Sequence, residues 1–234
     1  MLGLAVAFSW SGVAIGLAAF MAFLVRTPVK LALVDRRRGR FLRRTRLAIR
    51  VAVVELATLT VLGVVALGAV GPGWLVPVIV AMPLVGVELW FDIRSRSRRL
   101  VPELAGAIGI AAVAASIVVA GGEAWRLAVA IWMVLAARAV ASIPYVRAQI
   151  VRTRRGSAPL GATDGSQVIG AIVAMAAVAV DARALVGAAA VVVVAVAQSI
   201  AVRRTHIAPV KVIGIRQMVA GLAIVAATAI GVVV

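Results

Sequence analysis

The sequence contains no cysteine, one histidine and one tyrosine. Without cysteine there is no disulfide and no thiolate metal site. The single histidine, His206, leaves no histidine metal cluster and no histidine-dependent triad. Acidic residues are also scarce: 8 Asp and Glu stand against 25 Lys and Arg, a net charge of +17. In a water-soluble chain that balance would suggest nucleic acid. Here the basic residues sit between apolar runs, without the interleaved aromatics of a single-strand binder. The chain shows no P-loop and no dinucleotide fingerprint. No nucleic-acid partner is expected.

Apolar residues are abundant. They make up 64% of the 234 residues, at a mean hydropathy of +1.14, where a soluble domain is close to half apolar. Runs of about 20 such residues recur, and a helix of about 20 residues crosses a bilayer core. The short alternating strands of a membrane barrel are missing. The expected fold is all-α, a polytopic transmembrane bundle of about eight helices forming a single domain over 1–234. Expected spans are 2–25, 51–70, 74–91, 101–120, 127–146, 167–180, 184–201 and 212–234. The N-terminus lacks a basic lead-in and a small-residue cleavage site, so the first run reads as a retained helix.

The charges alternate with the spans. Connections after the first, third, fifth and seventh runs are basic, while those between are short and nearly neutral. The positive-inside rule places the basic loops in the cytoplasm, both termini outside, and the protein in the cell membrane. The densest basic segment, 26–50, reads as a topology-setting loop. Its Arg36, Arg37, Arg38, Arg43 and Arg44 are also the candidate partners of anionic lipid head groups.

Ionisable groups inside a span cost on the order of 2.5–3.5 kcal/mol each and so mark candidate sites. The candidates are Glu55, Glu88, Arg138 and Arg216, with Asp92, Glu103, Tyr145 and Gln217 at the edge. Arg138 lies deepest, roughly 12 Å from the basic-loop end by the helical rise. All lie on one half of the membrane, which suggests a polar cavity open to the cytoplasm. Glu88 and Asp92, at i and i+4, share a helix face. Such a pair can hold Mg²⁺ against a phosphate, with Arg138 and Arg216 facing the anion. The plainer alternatives are that Glu55 and Glu88 pair with Arg138 and Arg216 during packing, and that Asp92 pairs with Arg96.

The segments LVRTPVKLALVDRRRGR, ELWFDIRSRSRRLVPELAG, ARAVASIPYVRAQIVRTRRG and APVKVIGIRQMVAGLAIV together resemble the YwiC-like family of bacterial integral membrane proteins. The resemblance runs from about Leu24 over nearly the whole chain and implies the membrane class without an assigned activity. Members of that family begin with a further helix and a His-Gly-Ala-Trp-like motif, neither of which is found here. A more distant likeness is to the UbiA prenyltransferase superfamily, whose nine helices match the count with one restored at the front. Segments 26–50 and 92–100 then fall where that superfamily keeps two Asp-rich Mg-diphosphate motifs. The second has Asp92 followed by LVPELAG. The first has Asp35 alone among arginines. The likeness implies a scaffold that binds an isoprenoid or another lipid-linked anion. The other two readings are a transporter and a non-enzymatic assembly factor.

Overall fold

A serine divides the first apolar run. Ser9 is extended, and its hydroxyl accepts the Gly12 backbone N–H at 2.9 Å, an N-cap that starts a new helix. The expected single helix over 2–25 is therefore two, α1 (Leu2–Val6) and α2 (Trp10–Arg37). The computed structural model describes residues 1–94, 99–203 and 208–234. Among them there is no strand, and the remaining helices are α3 (Arg43–Val70), α4 (Leu75–Ile93), α5 (Leu100–Ala120), α6 (Trp125–Arg155), α7 (Gly161–Val180), α8 (Leu185–Ala201) and α9 (Val210–Val233). A 3₁₀ turn, Ala182–Ala184, leads into α8. Eight of these helical stretches are long and apolar enough to cross a membrane.

The largest departure from expectation is the basic segment 26–50. It is almost entirely helical, with α2 continuing through Pro28 to Arg37 and α3 starting at Arg43. Only five residues turn the chain. Arginine is a good helix former, so these helices continue past the end of their apolar runs. The same holds for α6, which continues to Arg155 and stops at Gly156 in the left-handed region, φ +77°. At its opposite end α3 stops at Gly71, φ +73°, whose N–H is bonded to Leu67 O at 2.9 Å.

The chain forms two units, residues 7–123 and residues 1–6 with 124–234. In the first, α2 packs on α3, α4 and α5, and α4 packs on α5. α5 is buried over 56% of its span and α3 over only 11%, so α3 leaves an apolar flank outward, including Val53, Val54, Val61 and Val64. In the second, α6 to α9 pack in sequence, α6 also meets α8 and α9, and α1 lies on α9. Its core is mostly small residues, among them Ala130, Ala137, Ala174, Ala177 and Ala188, with Val134, Val191 and Ile224. Small side chains let helices approach closely where lipid supplies no hydrophobic drive.

Candidate functional site

Within residues 7–123 the two acids of α4, Glu88 and Asp92, are held by cations from α2. Arg26 donates from Nε to Asp92 Oδ2 at 2.8 Å, and its Nη2 lies 2.8 Å from both Asp92 Oδ2 and Glu88 Oε1. Lys30 Nζ reaches Asp92 Oδ1 at 3.4 Å. Arg26 and Lys30 are one turn apart on α2, as Glu88 and Asp92 are on α4, so two i, i+4 pairs meet face to face. Asp92 is fully buried. Two positive and two negative charges balance, and this is what lets a carboxylate sit inside a helix pair.

Glu88 also fits against a gap in α5. A Cβ on Gly106 would stand 2.5 Å from Glu88 Cδ, so the glycine makes room for the carboxylate. Both Asp92 oxygens are engaged by Arg26 and Lys30, which does not fit Mg²⁺: a divalent ion would have to displace two cations. No group of three His, Asp or Glu that could hold a metal occurs among the described residues. We derive no step through a metal. Arg96, the other partner considered for Asp92, lies outside the described residues, as does His206.

Asp35, the lone acid of the basic segment, closes the α2–α3 turn. Its Oδ2 accepts from the Thr45 hydroxyl at 2.7 Å, and Arg44 Nη2 donates to Oδ1 at 3.1 Å. The Thr45 hydroxyl in turn accepts the Leu42 N–H at 3.1 Å. Asp35 is 3% exposed among arginines that are all exposed.

A cleft lies at the ends of α2 and α4. It has a volume of about 320 Å³ and is lined by Val34, Arg37, Arg38, Ile93 and Arg94. Arg37 Nη1 donates to the Ile93 carbonyl at 3.4 Å. The Arg94 guanidinium lies 3.7 Å over the Trp90 ring, a cation–π contact that fixes its direction. Three arginines thus line this space together with two apolar residues.

In the other unit, Arg138 is half-buried on α6 and donates from Nη2 to the Gln217 carbonyl at 2.9 Å. Gln167 Nε2 donates to Ala141 O at 3.1 Å and to Gln198 Oε1 at 3.0 Å. Gln198 Nε2 donates to Gln217 Oε1 at 3.4 Å. Four helices each contribute a polar side chain to one connected group.

The candidates named from sequence therefore separate. Glu88 and Asp92 are brought together, with Arg26 as their joint partner. Arg138 and Gln217 are brought together in the second unit, where Arg216 is exposed and Tyr145 is buried, its hydroxyl accepting from Gln149 Nε2 at 3.2 Å. Glu55, half-buried on α3, has a buried Oε2 without a partner among the described residues. Sequence reasoning missed Arg26, Lys30, Gln167 and Gln198. Arg26 was legible as a cation next to an apolar run. The glutamines were legible as amides spaced within apolar helices.

Residues 1–119, half of the chain, match the family model described as YwiC-like protein. Neither a curated protein nor a solved structure matches.

Proposed function

We propose that this chain, which belongs to the YwiC-like protein family, is a multi-pass membrane protein that holds the phosphate head of an anionic, lipid-linked molecule between α2 and α4. The observation that carries this reading is the cleft lined by Arg37, Arg38 and Arg94 with Val34 and Ile93. Guanidiniums match phosphate oxygens in a planar, bidentate way. The apolar Val34 and Ile93 in its lining suit the first methylenes of an acyl or isoprenoid chain. Basic side chains just outside a membrane span each contribute about 1 kcal/mol of attraction to anionic lipid.

The acids keep a structural part in this reading. Glu88 and Asp92 neutralise Arg26 and Lys30 inside the helix pair and fix α4 against α2. Arg37, Arg38 and Arg94, further along the two helices, line the cleft, and no ion pair to a carboxylate within 4 Å is resolved for them among the described residues. Arg44 is already committed to Asp35, and of the other arginines named in the basic segment Arg37 and Arg38 are the two that line the cleft.

Native mass spectrometry of the detergent-purified chain tests this. Phosphatidylglycerol and a polyprenyl phosphate are expected to remain bound at collision energies that strip phosphatidylcholine. Inorganic phosphate added in excess separates head-group recognition from recognition of the whole lipid, since a lipid with its chain outlasts free phosphate. Equal retention of anionic and zwitterionic lipid would count against the reading.

A further inference from the structure

The residues of the arginine cleft recur in the second unit. The end of α2 reads Leu33, Val34, Asp35, Arg36, Arg37, Arg38, Gly39, and the end of α6 reads Ile150, Val151, Arg152, Thr153, Arg154, Arg155, Gly156. Aligned on the glycine, Val34 matches Val151, Arg37 matches Arg154 and Arg38 matches Arg155. The helices that carry them are also alike. α2 begins at Trp10 and α6 at Trp125, each holds one proline, Pro28 or Pro144, and each has arginines in its last turn. Both stretches end on a glycine in the left-handed region, Gly39 at φ +65° and Gly156 at φ +77°.

The packing repeats as well. α2 packs on α3 and α4 on α5, with α2 also against α4 and α5; α6 packs on α7 and α8 on α9, with α6 also against α8 and α9. The third helix of each set leads into an apolar residue and an arginine, Ile93 and Arg94 after α4, Val202 and Arg203 after α8. In the first unit Arg37 Nη1 donates to the Ile93 carbonyl, and in the second Arg152 Nη1 donates to the Val202 carbonyl. This contact is independent of the sequence match, and it brings the end of α6 to the end of α8 as α2 is brought to α4. Each residue lining the first cleft therefore has a like residue at the matching position of the second unit.

We propose that Arg154 and Arg155, with Arg203 at the end of α8, form a second site for the phosphate head of an anionic lipid. Its choice of ligand rests on the reading of the first cleft. Arg154 and Arg155 are exposed, and no ion pair is resolved for them among the described residues. They stand just beyond a membrane span, where basic side chains attract anionic lipid. The second site is the weaker one. Arg203 Nη2 is held by Asp164 Oδ2 at 2.9 Å, and Val202 is only 1% exposed, so less apolar surface is open beside the charges. With one guanidinium engaged by a carboxylate, the site is expected to fill at about tenfold higher lipid than the first, the equivalent of one charged hydrogen bond.

The test is a titration of the delipidated full chain in detergent with phosphatidylglycerol, read by native mass spectrometry as lipids bound above a phosphatidylcholine control. Two are expected, in two steps. Arg154→Ala with Arg155→Ala is expected to remove the second step and leave the first at its midpoint. Arg38→Ala with Arg94→Ala is expected to do the reverse. Asp164→Asn is expected to lower the second midpoint several-fold, and it decides if the Arg154, Arg155 variant does not fold. Excess inorganic phosphate is expected to leave the second lipid bound; displacement would make free phosphate the ligand and overturn the lipid. The inference is also overturned if binding stops at one phosphatidylglycerol, or if the second step ignores Arg154 and Arg155 or Asp164. A second step that survives while the first ignores Arg38 and Arg94 would overturn the reading of the α2–α4 cleft instead.

Discussion

Arg26 and Asp92 meet at 2.8 Å although 66 residues separate them in the chain. Asp92 is fully buried, while the Arg26 side chain is 38% exposed. The aspartate therefore depends on its partner more than the arginine does. Removing one member of a buried ion pair strands the other, whereas removing both can be close to neutral.

Arg26→Gln is accordingly expected to destabilise the protein by on the order of 3 kcal/mol. The double variant Arg26→Gln with Asp92→Asn is expected to recover most of that. Urea or thermal unfolding in one detergent checks both, and the double-mutant cycle isolates the pair. Equal loss in the single and double variants would mean that packing, not charge, holds α4 on α2.

Two glycines make opposite predictions under the same substitution. On Gly170 a Cβ would stand 2.9 Å from the Ala137 carbonyl oxygen and 2.9 Å from Ala141 Cβ, both on α6. Backbone cannot yield there without separating α7 from α6, so Gly170→Ala is expected to cost about 1–3 kcal/mol. On Gly106 the obstacle is the end of the Glu88 side chain, which can rotate away. Gly106→Ala is expected to change stability by less than about 1 kcal/mol, since alanine also favours the helix. Its effect should appear instead as a weakened coupling between Arg26 and Glu88 in a double-mutant cycle.

Asp181, in the turn between α7 and α8, gives a pH dependence of known sign. The Arg183 side chain, bonded to Asp181 at 3.0 and 3.2 Å, holds its carboxyl below the ordinary value of 3.8, and the Arg183 backbone N–H adds to this. A lowered folded-state value means that this contribution is complete above about pH 4 and is lost as the pH falls through the folded value. Between pH 5 and 8 the Asp181→Asn variant and the parent should therefore differ by a constant amount, and below pH 4 the difference should shrink. Melting temperatures across that range check it.

Much of this arrangement was readable before any coordinates. Hydropathy alone places the spans, because the energetic demand of the bilayer is a matter of length and composition. The helix ends were not readable. Arg26 and Lys30 look like loop residues because they follow an apolar run, yet they lie inside α2, and a hydropathy scan cannot tell a helix leaving the membrane from a loop. For the same reason the i, i+4 acids Glu88 and Asp92 were visible as a pair while their partners were not. Asp35, the lone acid where the distant UbiA likeness would place an Asp-rich motif, is held by Thr45 and Arg44, a local turn contact across ten residues. The amide group of Gln167, Gln198 and Gln217 depends on three helices coming into register, which no single segment encodes.

The central claim is that Arg37, Arg38 and Arg94 recognise a lipid phosphate. The most direct measurement is the ratio of phosphatidylglycerol to phosphatidylcholine bound to the purified chain, in the parent and in the Arg38→Ala, Arg94→Ala double variant. Both arginines lie outside the Arg26–Glu88–Asp92 cluster, so folding should survive, as melting temperature will show. The account predicts a ratio well above one in the parent that falls by about tenfold or more in the variant, each charged hydrogen bond being worth about 1.5–3 kcal/mol. A ratio that is the same in both proteins would contradict it.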